Sequence, residues 1–151
     1  MSMLISPGRL SRDLKIIGVL SFIFAVMAMG LATKGMSGLL VFIAPLSAGI
    51  IYFSLAVGIS KREKWAWTFG VITFILLILS SLVFLFLDAM SLFQIAIGLI
   101  IPIIFLITLL KGKNELAINN EKSTTPLIFF IIGFALNITS NIYLFYLVSR
   151  L

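Results

Sequence analysis

The stretch Ser60-Lys61-Arg62-Glu63-Lys64-Trp65-Ala66-Trp67 decides the fold of this chain. Residues 61–64 carry four consecutive charges, and long apolar runs lie on both sides of the stretch. Hydrocarbon does not accommodate charges of this density, whereas Trp favours the level of the lipid headgroups. The stretch therefore predicts a hairpin between two transmembrane helices that turns at the lipid surface.

The composition of the whole chain also indicates a membrane protein. Of the 151 residues, 62% are hydrophobic and 11% are charged, and the mean hydropathy is +1.26. Soluble domains are about 45–50% apolar and about 25% charged, so polar residues are too few here to cover a water-exposed surface. We predict an all-α polytopic bundle that forms a single transmembrane domain over residues 1–151, as a multi-pass protein of the cell membrane.

Five apolar runs are long enough to cross about 30 Å of hydrocarbon at about 1.5 Å per residue. The first follows a basic segment, and we interpret it as a retained signal anchor because it is long for a cleaved signal peptide. Pro45 and Pro102 predict bends in two of the helices, and Thr125 with Pro126 is typical of a helix start. The predicted spans are residues 16–33, 39–59, 65–87, 92–110 and 126–148.

The basic residues predict the orientation of these spans. Of the 11 Lys and Arg residues, three precede the first run, three lie in the second connection and three in the fourth. The remaining two, Lys34 and Arg150, fall on the opposite side of the predicted bundle. Short cytoplasmic loops are enriched in Lys and Arg, so we predict a cytoplasmic N-terminus and an external C-terminus.

The chain lacks the residue types that several kinds of catalysis and metal binding require. The chain has no His and no Cys, which excludes His-based catalysis, thiol chemistry and most zinc, copper and haem sites. The predicted spans contain no carboxylate of the kind that a proton-coupled transporter or an intramembrane aspartyl protease needs. We predict no catalytic residue, no metal and no cofactor, and a protein that is not an enzyme. All five acidic residues lie in predicted connections or termini: Asp13, Glu63, Asp88, Glu115 and Glu121.

Polar residues inside the spans form one candidate site. Tyr52 lies near the middle of the second run, where its hydroxyl needs a partner such as Ser47, Thr73 or Asn137. In the fifth run, Asn137 and Asn141 are four residues apart, and Ser140 lies on nearly the same face. Such residues either line a polar pocket or join helices through hydrogen bonds of about 0.6–2 kcal/mol each. The candidate pocket or helix-contact residues are Tyr52, Asn137, Ser140 and Asn141.

The hairpin itself is a second candidate site, for anionic lipid headgroups. A basic residue close to an anionic membrane surface contributes about 1 kcal/mol of attraction. The same residues can instead serve only as an anchor for the hairpin. Because the net charge of +6 is concentrated in membrane-flanking clusters, we predict no nucleic-acid partner. The candidate lipid-contact residues are Lys61, Arg62, Lys64, Trp65 and Trp67.

One segment supports a family resemblance. The pattern Tyr52-x-x-Leu55-Ala56-x-Gly58-Ile59, followed by Lys61-Arg62 and Trp65-Ala66, resembles a hairpin of small uncharacterised prokaryotic multi-pass membrane proteins of a four-helix type. The resemblance implies an integral membrane protein and supplies no active site. This chain departs from the pattern by adding a fifth span after residues 111–125.

These residues favour two functions, and they allow a third, a lipid-modifying enzyme, only if an acidic residue faces a headgroup pocket. We predict a structural or accessory subunit that contacts the bilayer, anionic headgroups and another membrane protein or a second copy. The alternative is a small transporter, flippase or channel component for an apolar or weakly polar solute. A polar cavity at mid-membrane favours transport, and a dry bundle favours the structural role. A lipid-modifying enzyme requires Glu63 or Asp88 to face a headgroup pocket.

Overall fold

The computed structural model describes residues 7–32, 36–86, 92–116 and 123–148. All regular structure in these ranges is α-helical, with five long helices and one short helix, which confirms the predicted all-α fold there. The helices are α1 (Pro7–Ala32), α2 (Met36–Ser60), α3 (Lys64–Phe86), α4 (Leu92–Lys111), α5 (Lys113–Leu116) and α6 (Thr124–Val148).

Three of the helices are long and apolar enough to cross a membrane. The segments are Phe42–Ser60, Lys64–Val83 and Thr124–Tyr143, each of 19 or 20 residues. Their outward surfaces are also apolar, as Ile131 on α6 shows with 54% exposure. Soluble proteins rarely leave large contiguous apolar surfaces uncovered. The helices and their surfaces therefore suggest that the protein associates with a membrane.

Helix α1 begins nine residues before the apolar run that was predicted to span. The early turns form because the basic segment is amphipathic: Arg9 and Arg12 are exposed, whereas Leu10 and Leu14 are buried at helical spacing. The Ser11 hydroxyl donates a 2.8 Å hydrogen bond to the Ala56 carbonyl near the end of α2. The first turns of α1 are thus fixed to the last turns of α2.

Two glycines allow α1 and α2 to cross closely. A Cβ atom on Gly18 would lie 3.3 Å from the Gly49 carbonyl oxygen, and one on Gly49 would lie 3.2 Å from the Gly18 carbonyl oxygen. The two backbones therefore meet directly at this point. Helix α6 packs against α2 as well, while α4 packs against α3, so α2 is the central helix of the bundle.

The hairpin between α2 and α3 is a Schellman turn. The Glu63 amide donates to the Gly58 carbonyl at 3.0 Å, and the Arg62 amide donates to the Ile59 carbonyl at 3.0 Å. This pair of bonds places residue 62 in the left-handed region, where Arg62 has a φ of 55°. The turn is short because α3 begins immediately, with the Glu63 carbonyl accepting a bond from the Ala66 amide at 3.1 Å.

Helix α6 begins two residues before its predicted start at Pro126. The Ser123 carbonyl accepts a bond from the Leu127 amide at 3.4 Å, so Ser123 caps the helix where Thr125 was expected to do so. The difference has a tertiary cause, because the Ser123 amide is bound by a side chain from the α2–α3 turn. Pro45 and Pro102 lie inside α2 and α4, and both helices continue past their proline. The bends at these residues stay predictions.

Candidate functional site

A cavity of about 480 Å³ lies between α2, α3, α4 and α6. Helices α2, α3 and α6 each contribute residues at the spacing of a single face, as Thr73, Leu77 and Ser80 do on α3, and α4 contributes Gly98. Most of the lining is apolar, and none of the described residues in it is charged. The lining residues are Ala44, Ala48, Ile51, Tyr52, Thr73, Leu76, Leu77, Ser80, Ser81, Gly98, Phe134, Asn137, Ile138, Asn141 and Ile142.

The cavity lies between the middle of the bundle and the end away from the hairpin. At a rise of about 1.5 Å per residue, Tyr52 is roughly 12 Å along the helix from Ser60. On α6, the same rise places Asn141 roughly 25 Å from Thr124. Within a hydrocarbon layer of about 30 Å, such a cavity extends from mid-membrane towards one surface.

The amide side chains of α6 form a hydrogen-bonded group on one wall of the cavity. The Asn137 Nδ2 atom donates to the Ser47 hydroxyl of α2 at 3.2 Å, and that hydroxyl donates to the Ala44 carbonyl at 2.8 Å. The Asn141 Nδ2 atom donates to Asn137 Oδ1 at 3.0 Å. Ser140 is 5% exposed and donates to the Asn137 carbonyl, and it does not line the cavity.

Ser81 joins α3 to α4 at the cavity wall. Its hydroxyl lies 2.9 Å from the Leu77 carbonyl and 3.1 Å from the Gly98 carbonyl. A Cβ atom on Gly98 would come within 2.9 Å of the Ser81 oxygen. Glycine at residue 98 therefore permits the close approach on which this bond between the helices depends.

Two hydroxyl groups at the inner end of the cavity are not paired. Thr73 is 4% exposed, and its Oγ1 atom is the one buried side-chain oxygen or nitrogen in the described ranges without a hydrogen-bond partner. The Tyr52 hydroxyl likewise makes no hydrogen bond to any residue that the structure describes. Of the partners predicted for Tyr52, Ser47 and Asn137 are bonded to each other, while Thr73 lines the same cavity. A buried hydroxyl without a partner costs about 1–3 kcal/mol, so the Thr73 hydroxyl can gain from binding a ligand or water.

Aromatic rings fill the bundle between the cavity and the hairpin. The Phe74 ring stacks on Phe105 with centroids 5.3 Å apart, and on Tyr52 at 6.3 Å. The rings of α3 and α6 meet at Phe69 and Phe130, whose centroids are 5.1 Å apart. Aromatic pairs at such distances contribute about 0.5–1.5 kcal/mol beyond the burial of their area. We call the rings of Phe69, Phe74, Phe105 and Phe130 the aromatic layer.

Beyond the aromatic layer, a buried carboxylate joins two connections of the chain. Glu63 is 2% exposed, and its Oε2 atom accepts hydrogen bonds from the Trp65 indole Nε1 and, at 3.2 Å, from the Ser123 amide. Because Ser123 caps α6, the carboxylate lies at the positive end of that helix dipole. We call this arrangement the Glu63 clamp.

The predicted lipid-contact residues are placed in two different environments. Lys61, Arg62 and Lys64 are exposed, and the Lys61 ammonium donates to the Ser123 hydroxyl at 2.7 Å. Trp65 is only 6% exposed and belongs to the Glu63 clamp. Trp67 is half-buried and donates to the Leu109 carbonyl at 2.9 Å. The three basic residues therefore remain accessible to headgroups, whereas both indole N–H groups are bonded within the protein.

No protein-family model, curated protein or solved structure was found that matches this chain. The resemblance of the hairpin to four-helix membrane proteins therefore stays a prediction. In the described part of the chain, no group of three or more acidic side chains that could hold a metal ion is present.

Sequence reasoning placed Tyr52 and Asn137 at a polar face and named Thr73 as a possible partner of Tyr52. It did not identify the rest of the α3 wall of the cavity. A helical projection of α3 would have indicated this wall. Thr73, Ser80 and Ser81 share one face of an otherwise apolar helix, at separations of seven and eight residues. The burial of Glu63 has no comparable signal in the sequence, because it depends on a contact with Ser123, 60 residues away.

Proposed function

We propose that this chain is a multi-pass protein of the cell membrane that binds a small, uncharged, largely apolar molecule between its helices. In this proposal the protein works as a small transporter, flippase or channel component. The observation that carries the proposal is the cavity of about 480 Å³, whose lining includes Thr73, a buried residue with an unpaired hydroxyl. Ligand pockets in proteins have volumes of about 300–1,000 Å³ and combine apolar walls with a few polar groups.

The proposal includes five spans with the N-terminus in the cytoplasm and the C-terminus outside. Contacts among the helix ends support this orientation. The start of α1 is bonded to the end of α2 through Ser11, and the Glu63 clamp joins the start of α6 to the same region. Trp67 links the start of α3 to the end of α4. The described Lys and Arg residues therefore gather at one end of the bundle, as expected for a cytoplasmic face.

The accessory-subunit function is a second candidate, and α1 favours it. Helix α1 packs mainly against α2, and its Phe24, Val26 and Met27 side chains are 62–71% exposed. A partner helix could cover these side chains as readily as lipid. A lipid-modifying enzyme gains no support from Glu63, because the clamp already binds the carboxylate on the protein side.

Hydration of the cavity distinguishes transport from the accessory function. The natural chain has no Cys, so single-cysteine variants can report on water directly. We expect the Ser80→Cys variant to react with a water-soluble methanethiosulfonate reagent, because Ser80 lines the cavity and a thiol must ionise in water to react. Leu79→Cys is the matched control, since the neighbouring Leu79 is 52% exposed on the outside of α3 and faces lipid in the proposed orientation.

The rate of modification in membranes is the measurement. We expect Ser80→Cys to react at least tenfold faster than Leu79→Cys, and a small uncharged solute that fills the cavity should slow the reaction. Equal and negligible rates at both positions would indicate a dry bundle. That result would contradict a solute pathway and favour the accessory subunit.

A further inference from the structure

We propose that the cavity binds an uncharged amphiphile whose hydroxyl or carbonyl group forms hydrogen bonds with Thr73 and Tyr52. Its apolar tail lies along Leu76, Leu77 and Ile138. This inference rests on the proposed function and names the class of ligand. A single-chain alcohol, a neutral glyceride and a prenyl alcohol all belong to this class.

The hydrogen bonds of the cavity determine where a polar group can bind. The Ser47 and Ser81 hydroxyls donate to protein carbonyls, and Asn137 donates one N–H to Ser47. Thr73 and Tyr52 retain hydroxyl protons without a described acceptor, and both lie at the inner end of the cavity. A hydroxyl or carbonyl oxygen on the ligand would accept these protons and remove the penalty of the buried Thr73 oxygen.

The charge of the lining excludes ionic ligands. None of the described residues that line the cavity is Lys, Arg, Asp or Glu. Thr73 is roughly 13 Å along α3 from Lys64, at about 1.5 Å per residue. An ion at this depth would have no counter-charge among the described residues, and moving one there from bulk water costs several kcal/mol. The ligand is therefore neutral.

The remaining walls fit an acyl or prenyl chain. From Thr73 towards the outer end of the cavity, α3 presents Leu76 and Leu77, and α6 presents Ile138 and Ile142 across from them. The polar group of the ligand therefore lies deep in the bundle and its tail points towards the end away from the hairpin. This arrangement favours a molecule that is already dissolved in the bilayer over one that arrives from water.

Three ten-carbon probes test the ligand class on the full chain in lipid nanodiscs. They are 1-decanol, decanoate and decyltrimethylammonium, which share a tail and differ in headgroup charge. A ligand that binds the folded state raises the unfolding temperature, and the half-maximal concentration reports affinity. We expect decanol to raise the unfolding temperature and to do so at about tenfold lower concentration than either charged probe.

The Thr73→Val variant removes the unpaired hydroxyl and preserves the shape of the side chain. We expect its unfolding temperature without probe to be unchanged or higher, because an unsatisfied polar atom has been removed. Its half-maximal decanol concentration should rise about fivefold to tenfold, which corresponds to the loss of one hydrogen bond of about 1–1.4 kcal/mol. Thr139→Val is the control, because Thr139 is exposed on α6 and bonded to its own helix at Ala135.

The Ala48→Phe variant separates failure of this inference from failure of the proposed function. Ala48 lines the cavity, and a phenyl ring there would occupy part of it and narrow the space for a ligand. If Ala48→Phe responds to decanol as the natural chain does, the probe binds elsewhere and the proposed function fails. If Ala48→Phe loses the response but Thr73→Val keeps it, the cavity binds ligand without Thr73 and only this inference is overturned. Lower stability of Thr73→Val without probe, or equal affinity for a charged probe, would also overturn it.

Discussion

Replacing Glu63 with alanine is expected to lower the free energy of unfolding by roughly 3 kcal/mol, the magnitude typical of removing one partner from a buried charged interaction. The carboxylate accepts hydrogen bonds from the Trp65 indole and the Ser123 amide. Alanine would leave both donors without their acceptor, in a region where Glu63 is 2% exposed. It would also remove a negative charge from the start of α6, where the helix dipole favours one.

The effect should depend on the carboxylate oxygen and not on general disturbance of the hairpin. Glu63→Gln keeps an acceptor oxygen, so we expect it to lose less than half as much stability as Glu63→Ala. Lys64→Ala changes the adjacent charged residue, which is exposed, and should change stability by less than about 0.5 kcal/mol. Reversible unfolding in mixed micelles, followed by Trp fluorescence, measures all three. Equal stability of Glu63→Ala and Lys64→Ala would contradict the Glu63 clamp.

The Gly58→Ala substitution is expected to destabilise the protein by about 2–3 kcal/mol. A Cβ atom on Gly58 would lie 2.5 Å from the Ala66 Cβ and 2.7 Å from the Trp65 Cζ2 atom. One of these groups must move, and both lie in the first turn of α3, directly after the hairpin turn. Displacement of Trp65 would also weaken its hydrogen bond to Glu63.

A second glycine provides the control for Gly58. A Cβ atom on Gly8 would meet nothing within 4 Å, so Gly8→Ala should be neutral or slightly stabilising in a helix. The same unfolding measurement compares the two variants. A Gly58→Ala protein as stable as Gly8→Ala would show that α2 and α3 do not pack as closely as the structure has them.

The sequence predicted those features that depend on long patterns. Apolar runs bounded by charged connections predicted an all-α fold, and the helices α2, α3 and α4 begin and end within three residues of the predicted spans. Such runs are decided by the hydrophobic effect over many residues, so no single contact changes them. The largest difference is at Pro7, near the contact of Ser11 with α2, and the two-residue difference at Thr124 follows from the contact of Ser123 with Glu63.

The candidate site was predicted less completely, because a cavity depends on how faces of separate helices meet. Tyr52, Asn137 and Asn141 were recognised because polar residues are rare in these helices. Their hydrogen-bond partners were not predicted, because Asn137 bonds to Ser47, 90 residues away, while Tyr52 lines the cavity. Neither the approach of α6 to α2 nor the buried position of Glu63 can be read from local spacing.

The most direct test of a five-span bundle with its basic end in the cytoplasm is cysteine labelling in intact cells. The variants place a single thiol on either side of the proposed membrane: Lys64→Cys and Lys113→Cys at the basic end, and Lys34→Cys and Asp88→Cys in the first and third connections. We expect an impermeant maleimide to label positions 34 and 88 from outside, and positions 64 and 113 only after the membrane is opened. Labelling of positions 64 and 88 from the same side would contradict a crossing by α3, and external labelling of position 113 would contradict the cytoplasmic location of the basic end.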